Sequence, residues 1–296
     1  MPNISYKELR ETQLQYENAF SRKGIKDAVL EYMNTIPEVD GVINRGVALL
    51  QAWCESESSY ESKITRKNHI SQMDLKELVT EVYVRIASLS TETTLNNLAS
   101  QLAPIMGFSD TRVGIQAMAE VIAVICYANF FVLKFHHLIR RIYLMPIYVK
   151  SNFKLPDDLL AYIEHACYLP PLIIPPQQLR NNRSSGYYTI KGDSLILGGG
   201  HNHHNDEIAL DVLNIMNRYE LSLNEFILDN VVEEPTHDLE EVKDGDKMTE
   251  IERIKAVYQQ KNNWAKHVKQ SNYFYDYIRT KGNNRMFITH KFDKRG

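Results

Sequence analysis

The sequence predicts a mainly helical fold with small β elements, of the α+β class, and three observations carry this prediction. Apolar residues recur at helical spacing through most of the first half of the chain. Four prolines between residues 170 and 176 then exclude regular helix there. Short alternating segments typical of strands follow. With 296 residues, 44% of them hydrophobic, the chain can form one large domain or two modest ones.

Residues 1–155 are predicted to form a helical N-terminal domain. In several stretches apolar side chains recur every three or four residues, which is typical of helices that bury one face. The predicted helices cover residues 6–32, 74–86 and 95–105. Thr91 or Thr93 is expected to cap the last of these helices, and Gly107 is expected to end it. The polar composition of residues 54–69 predicts loops.

The most apolar stretch, residues 113–133, is long enough to cross a membrane. It contains Gln116, Glu120 and Asn129, and a carboxylate near the middle of a bilayer costs about 2.5–3.5 kcal/mol. We therefore predict a buried helix of a globular domain. A membrane anchor formed by the same stretch is the alternative.

Residues 156–232 are predicted to form a proline-rich connector, a hairpin and a helix pair. Pro156 and the two aspartates after it favour the start of a short helix, because proline and negative charge both suit a first turn. Residues 170–176 are expected to be extended and stiff. Residues 187–197 alternate as a hairpin would, with the turn at 191–193. Residues 206–228 return to helical spacing.

The charge distribution separates the last two predicted segments. Residues 201–260 carry fifteen acidic and five basic side chains, and residues 233–248 are predicted to be an acidic linker. Residues 261–296 carry nine basic and two acidic side chains. The segment 249–296 is therefore predicted to contain a basic long helix, broken near Ser271, followed by a strand at 286–292. Such a basic surface suits a polyanion, although a solvated charged face explains it equally well.

No metal site or catalytic triad is predicted. The segment 201–204 contains three histidines, but a zinc site needs three or four converging ligands, and no distant Cys or His pair completes the set. The glycines at 198–200 lack the Lys-Ser/Thr of a phosphate-binding loop, so we predict a flexible turn there and a polar surface turn at 201–204. The three cysteines form no C-x-x-C pair and are expected to be structural thiols in a reducing cytoplasm.

Three sequence blocks in the second half resemble motifs of the single-subunit RNA polymerases of phages and mitochondria. PLIIPP at 171–176 with SGY at 185–187 is similar to the family's P-M-(I/V)-(V/I)-P-P-x-P-W…G-G-Y segment. LN at 213–214 with LSLNEFIL at 221–228 resembles the family's L-N…W-x-I-N-x-x-V-L helix pair. MFITHKFDKRG at 286–296 resembles the F-x-(F/P)-x-x-x-D-x-R-G-R strand. The structural motif residues matched in this way are Pro175, Pro176, Gly186, Tyr187, Asn214 and Asn224.

The three blocks stand in the family's order and cover residues 170–296. Three positions depart from the pattern. Gln178-Leu179 stands where the family usually has Pro-Trp, Ser185 replaces a glycine, and Leu221 replaces a tryptophan.

The resemblance implies a subunit of a DNA-directed RNA polymerase that acts in phage transcription, in the cytoplasm of an infected bacterium. It implies a helical N-terminal domain, a hairpin-containing connector, and the first part of a polymerase palm ending in the Asp-x-Arg-Gly motif. The family's metal-binding aspartates come after this motif. The sequence ends at Gly296, and we therefore expect a heterodimer in which a larger catalytic subunit binds Mg2+ and this chain alone is inactive.

The resemblance also assigns roles near the C-terminal end. Arg295 is expected to pair with a backbone phosphate near the template–RNA hybrid, because its donor fork matches phosphate. Asp293 is expected to orient arginines or a backbone turn, and Gly296 belongs to the same motif that binds the template and the hybrid. Lys291 and Lys294 are weaker phosphate candidates. Four aromatic residues are considered for stacking on bases, with core packing as the alternative: Tyr273, Phe274, Tyr275 and Tyr277.

Two further expectations stay open. In the family, a hairpin ahead of the double-proline block separates promoter strands, and the matching residues 142–153 have room for only a short hairpin. We therefore expect a melted template or a promoter-melting accessory factor to be required. Outside the resemblance, the alternative function is a non-enzymatic helical scaffold or nucleic-acid-binding protein.

Overall fold

The computed structural model describes residues 5–135, 146–166, 169–191, 194–196, 208–230 and 249–293. The described chain is mainly helical with one small antiparallel sheet, which confirms the predicted fold class. Its contacts divide it into two compact units. Unit 1 comprises Met1–Ser21 with His165–Gly296, and unit 2 comprises Arg22–Glu164. This division differs from the predicted boundary after residue 155, because the first helix belongs with the C-terminal residues.

The helices, in chain order, are α1 Tyr6–Ala19, α2 Arg22–Asn34, α3 Pro37–Glu55, α4 Glu61–Ser71, α5 Leu75–Ala87, α6 Leu95–Leu102, α7 Thr111–Ile125, α8 Asp157–His165, α9 Leu210–Met216, α10 Glu225–Asn230 and α11 Glu250–Gly282. Two short 3-10 helices cover Ala103–Met106 and Cys126–Ala128. The strands are β1 Thr93–Thr94, β2 Phe131–Phe135 and β3 Ile147–Ser151.

The sheet of unit 2 has the order β1-β3-β2, and both pairings are antiparallel. Val149 pairs with Thr93 on one side and with Leu133 on the other, and its side chain is buried. Of the stretch 142–153, residues 147–151 form β3, which pairs with strands outside that stretch. Residues 142–145 lie outside the described residues. The expectation of a short hairpin within 142–153 therefore lies partly outside the described residues.

Local capping explains where several helices of unit 2 begin and end. Asp74, the first residue of the predicted helix 74–86, accepts a hydrogen bond from Glu77 N (2.9 Å) and caps α5. Thr94, and neither Thr91 nor Thr93, caps α6 by accepting from Asn97 N (3.2 Å). Gly107 adopts φ +68° after the 3-10 turn, a left-handed conformation that glycine tolerates, and ends the segment as predicted.

The predicted loop at 54–69 is wrong, because α3 continues to Glu55 and α4 begins at Glu61. Two charged residues of α4, Arg66 and Lys67, are buried and have partners outside the helix. Arg66 is 4% exposed and donates to both carboxylate oxygens of Glu120 at 2.9 and 2.6 Å. Lys67 is 3% exposed and donates to the carbonyl oxygen of Ser56. Composition alone therefore mistakes a helix with buried ion pairing for a loop.

Helix α7 is the core helix of unit 2. One of its faces, which includes Ala117, Val121 and Ile125, is fully buried. The segment Thr111–Ala128 is long and apolar enough to cross a membrane by length and composition. The predicted helix over 113–133 ends early, because Asn129 takes a left-handed conformation (φ 66°) and β2 begins at Phe131.

Candidate functional site

The terminal segment 286–293 lies between the other two sequence blocks in unit 1. Met286 exchanges both backbone hydrogen bonds with Leu221, at 2.9 and 2.8 Å. Phe287 likewise exchanges two backbone hydrogen bonds with Leu172, at 3.0 and 2.7 Å. Because the polar groups of successive extended residues point to opposite sides, the terminal segment is paired on both sides. The terminal segment is therefore a neighbour of both other blocks, although it pairs with residues 65 and 115 positions away in the chain.

Further contacts hold the rest of this segment. Asn217, 2% exposed, accepts through Oδ1 a hydrogen bond from His290 N (2.8 Å), and the Nδ1 atom of His290 lies 3.0 Å from the same oxygen. Phe292 N donates to the carbonyl oxygen of Leu195 (2.8 Å). The segment predicted as one strand at 286–292 is therefore a series of isolated bridges, since each part pairs with a different neighbour.

The predicted hairpin at 187–197 is not formed by its described residues. Leu195 N donates to the carbonyl oxygen of Asn182 (2.9 Å), and Ile196 forms a parallel bridge with Phe292. The expected turn residues 192–193 lie outside the described part of the chain. Alternation correctly indicated extended backbone here, but its pairing partners lie elsewhere in unit 1.

Gly186 sits where a larger residue does not fit. Its carbonyl oxygen accepts from Gln177 N (2.8 Å). This bond joins the SGY block (residues 185–187) to the residue that follows the proline block (residues 171–176). A Cβ atom at this position would lie 3.2 Å from Pro176 Cβ and closer to Thr289 Cγ2 than real Cβ atoms come to any neighbour. Pro175 contributes its carbonyl oxygen, which accepts from the Tyr188 hydroxyl (2.7 Å). The motif glycine thus packs against Pro176 and against Thr289 of the terminal segment.

The two motif asparagines have structural roles. Asn214 forms two hydrogen bonds with the backbone of Leu179: its Oδ1 accepts from Leu179 N (2.7 Å), and its Nδ2 donates to Leu179 O (2.9 Å). The Asn214 side chain therefore satisfies both backbone polar groups of Leu179, as a paired strand would. Asn224 accepts from Ile227 N (3.2 Å) and caps α10.

Helix α1 holds the proline block and the SGY block through two buried polar side chains that sequence reasoning missed. Gln13 Oε1 accepts from Ile173 N (2.9 Å), and Gln13 Nε2 donates to Glu17 (3.0 Å). The carboxyl group of Glu17 accepts from the backbone N–H of Tyr188 (2.8 Å) and of Thr189 (2.7 Å), and from the Thr189 hydroxyl (2.9 Å). Gln13 and Glu17 are both fully buried. Their spacing of four residues, within an otherwise apolar face, was the available signal.

The aromatic residues near the end of α11 divide into core and surface. Tyr277 is 9% exposed and stacks on Tyr16 of α1, with ring centroids 3.6 Å apart, so it is not available to a base. Phe274 is half-buried, with its ring 6.0 Å from that of Phe20. Tyr273 is 41% exposed and Tyr275 is partly exposed. Core packing thus accounts for Tyr277 and in part for Phe274.

Helix α11 is continuous over 33 residues, so the predicted break near Ser271 is wrong. Its buried residues, Tyr277, Ile278 and Gly282, are all near its C-terminal end. The earlier basic residues Lys261, Lys266 and Lys269 are exposed. A helix can remain unbroken through a polar stretch because solvent satisfies its side chains while the backbone bonds stay internal.

The predicted template-binding residues are only partly within the described chain. Lys291 and Asp293 are exposed, directly after the paired residues of the terminal segment. Lys294, Arg295 and Gly296 lie outside the described residues, as do the histidines of 201–204. Among the residues that are described, no group of three or more His, Cys, Asp or Glu side chains is placed to hold a metal ion.

No model of a known protein family matches the sequence, and no curated protein matches it.

Tyr187 makes the stability of unit 1 sensitive to alkaline pH. Its hydroxyl donates to the Pro170 carbonyl oxygen (2.8 Å), and burial raises the pKa of this phenol to about 12. Since the pKa in the unfolded chain is about 10, folding favours the protonated form. The contribution of Tyr187 is therefore fully present below about pH 10 and is lost as the pH rises toward 12.

We expect Tyr187→Phe to flatten the fall in the free energy of unfolding between these two pH values, measured by urea denaturation at a series of pH values. Tyr127→Phe, at a residue that is 79% exposed, is the control and should leave the slope unchanged. Equal slopes for Tyr187→Phe and the wild type would contradict this assignment.

Proposed function

We propose that this chain is a subunit of a DNA-dependent RNA polymerase of the single-subunit phage and mitochondrial type. In this proposal it positions the template and the RNA–DNA hybrid, and a partner subunit supplies the Mg2+-binding motifs. The observation that carries the proposal is that the three sequence blocks resembling polymerase motifs meet in unit 1. Leu172, Leu221 and the pair Met286–Phe287 are joined directly by backbone hydrogen bonds.

This arrangement suits a group that must grip nucleic acid at a fixed place. The terminal segment is held by Leu172 and Leu221 near its start, by Asn217 at His290, and by Leu195 at Phe292. The chain then continues into the Asp-x-Arg-Gly motif. Lys291 and Asp293 come directly beside held residues of this segment, which favours precise positioning of their side chains.

The chemistry assigned to this chain is phosphate binding. Arg295 would donate two parallel hydrogen bonds to a backbone phosphate, and Lys291 and Lys294 would add point charges. Each such contact releases a counterion from the nucleic acid, so binding should weaken as salt rises. Nucleotidyl transfer itself uses two Mg2+ ions clamped by carboxylates. In the proposal those carboxylates belong to the partner subunit.

The test is reconstitution with a polypeptide from the same genome that carries the two metal-binding aspartates. We expect the mixture, with Mg2+, to extend an RNA primer on a DNA template, and each polypeptide alone to be inactive. Arg295→Ala should slow extension by about tenfold or more, because a charge-assisted phosphate contact contributes about 1.5–3 kcal/mol.

Arg112→Ala, an exposed arginine in unit 2, is the matched control and should extend at the wild-type rate. A mixture that extends no primer would refute the proposed function. Extension that is unaffected by Arg295→Ala would refute the role of the Asp-x-Arg-Gly motif.

One observation favours the second candidate, a non-enzymatic nucleic-acid-binding protein. The first two turns and the middle of α11 bury none of their side chains among the described residues, and they present Lys261, Lys266 and Lys269 to solvent. Such a helix could bind phosphates without any partner. Under this alternative the chain alone binds nucleic acid tightly, and the aspartate-bearing polypeptide changes nothing.

A further inference from the structure

A cavity of about 590 Å³ lies in unit 2, where the end of α3 is followed by the start of α4. Its wall consists of residues 54–59 together with Ile64, Lys67 and Asn68. All of these residues are at least partly exposed except Lys67, of which 3% is exposed. The cavity therefore opens to solvent and has one buried lysine in its wall.

The Lys67 ammonium group is buried without a carboxylate to balance its charge. Its Nζ donates to the carbonyl oxygen of Ser56 (2.5 Å) and to the Ser56 hydroxyl (2.7 Å), and it lies 5.2 Å from the centre of the Trp53 ring. Lys67 forms no ion pair with a carboxylate that the structure describes, whereas the neighbouring Arg66 is paired with Glu120. An ammonium group has three N–H donors, and Ser56 accepts from two of them.

The contacts of Lys67 leave part of its charge uncompensated. Ser56 is the residue that follows α3, and a helix C-terminus carries roughly half a negative elementary charge. Burial raises the pKa of the Cys54 thiol, and the Lys67 charge partly opposes this rise. The positive charge therefore acts on a second residue of the cavity wall. Because a buried charge is costly without a counter-charge, an anionic group in the cavity would stabilise Lys67.

The cavity wall also carries two carboxylates, those of Glu55 and Glu57. Both residues are exposed, and Glu55 accepts one hydrogen bond from Gln51 (3.1 Å) through a single oxygen. A ligand with only negative charge would be repelled by these carboxylates, and a ligand with only positive charge would be repelled by Lys67. A ligand that carries both charges is complementary to the whole wall.

We propose that this cavity binds a small zwitterion with an apolar part, which is the chemistry of a free aliphatic amino acid. The carboxylate of the ligand accepts from Lys67, and its ammonium group interacts with Glu57. Its aliphatic part contacts Ile64, which is 40% exposed in the cavity wall. The cavity belongs to unit 2 and the three sequence blocks belong to unit 1, so this inference does not depend on the proposed function.

The test uses the full chain and three ligands of matched shape. Leucine carries both charges, isocaproate lacks the amine, and isoamylamine lacks the carboxylate. Binding is followed by the fluorescence of Trp53, because its ring lies close to the Lys67 ammonium group. The chain has two tryptophans, so Trp264→Phe is introduced throughout to leave Trp53 as the single emitter.

We expect leucine to bind most tightly. Isocaproate should bind about threefold more weakly, because an ion pair with an exposed carboxylate contributes little. Isoamylamine should bind about tenfold more weakly or less, because it loses the charge-assisted hydrogen bond from the buried Lys67.

Variants of the wall assign each charge to its partner. Glu57→Gln should weaken leucine binding about threefold and should not weaken isocaproate binding, because isocaproate has no ammonium group. Glu61→Gln removes an exposed carboxylate of α4 outside the cavity wall and is the matched control, which should bind all three ligands as the unchanged chain does. Lys67→Met should abolish leucine binding, and circular dichroism checks that this variant folds.

Several results would overturn the inference. One is a Trp53 emission that shows no saturable response to leucine. Equal affinities for leucine and isocaproate would indicate a site for anions, and equal affinities for leucine and isoamylamine would show that Lys67 does not anchor the ligand. The ligand series and Glu57→Gln decide the question even if Lys67→Met does not fold, since they leave the buried lysine in place.

Discussion

Glu17→Ala is expected to destabilise unit 1 by about 3 kcal/mol or more. The substitution removes the acceptor of two backbone N–H groups, those of Tyr188 and Thr189, and of the Thr189 hydroxyl. Glu17 is fully buried, so water does not readily replace it. Each buried donor that loses its partner costs about 1–3 kcal/mol, and this variant leaves at least two. Urea denaturation followed by circular dichroism measures the loss.

Two further variants separate the loss of these hydrogen bonds from other effects of the substitution. Glu17→Gln keeps one carbonyl oxygen and should lose about half as much as Glu17→Ala, roughly 1–2 kcal/mol. Glu11→Ala removes an exposed carboxylate of the same helix and should change stability little. Hydrogen exchange gives a local readout, since the amides of Tyr188 and Thr189 should lose protection first. If Glu17→Ala and Glu11→Ala unfold at the same urea concentration, Glu17 does not hold the SGY block.

Gly186→Ala is expected to destabilise unit 1 by about 2–3 kcal/mol, in the range measured for overpacked sites. The added methyl group would overlap Thr289 Cγ2 and press against Pro176 Cβ, 3.2 Å away. Both neighbours are held by backbone, so the terminal segment or the proline block has to shift. Replacing Thr289 by Ser removes the overlapping methyl group and keeps the hydroxyl. We therefore expect Thr289→Ser to restore most of the stability lost by Gly186→Ala.

A double-mutant cycle over these two positions measures their coupling free energy. Gly41→Ala is the matched control, because nothing lies within 4 Å of a Cβ at that helical glycine. It should be neutral or stabilising, since alanine favours helix more than glycine does. Additive effects of Gly186→Ala and Thr289→Ser would mean that the two residues are not in contact. The cycle thus tests directly whether the SGY block packs against the terminal segment.

Local signals predicted those elements whose limits are set by neighbouring residues. Asp74 begins α5, Gly107 ends the 3-10 turn, and the prolines of 170–176 keep that stretch free of helix. Each of these effects acts over a few residues, through a cap, a left-handed conformation or a missing N–H. These element limits can therefore be predicted from the neighbouring residues alone.

Errors arose where distant partners decide the outcome. Helix α4 was predicted as loop because residues 54–69 are polar, yet Arg66 pairs with Glu120 and Lys67 donates to Ser56 inside unit 2. The predicted hairpin at 187–197 did not form between its described residues. Leu195 instead bonds to Asn182, and Ile196 forms a bridge with Phe292. Periodicity reports whether a segment is extended or helical, but not which segment it meets.

The candidate site shows the same division. The sequence by itself determined the helical class, the extended proline block and the residues Gly186, Asn214 and Asn224 as positions of interest. Only the tertiary structure decided that the terminal segment lies between the other two blocks and that Glu17 holds one of them. The physical reason is range: caps and backbone preferences act within a few residues, whereas burial and pairing join residues as far apart as Arg66 and Glu120 (54 positions) or Glu17 and Tyr188 (171 positions).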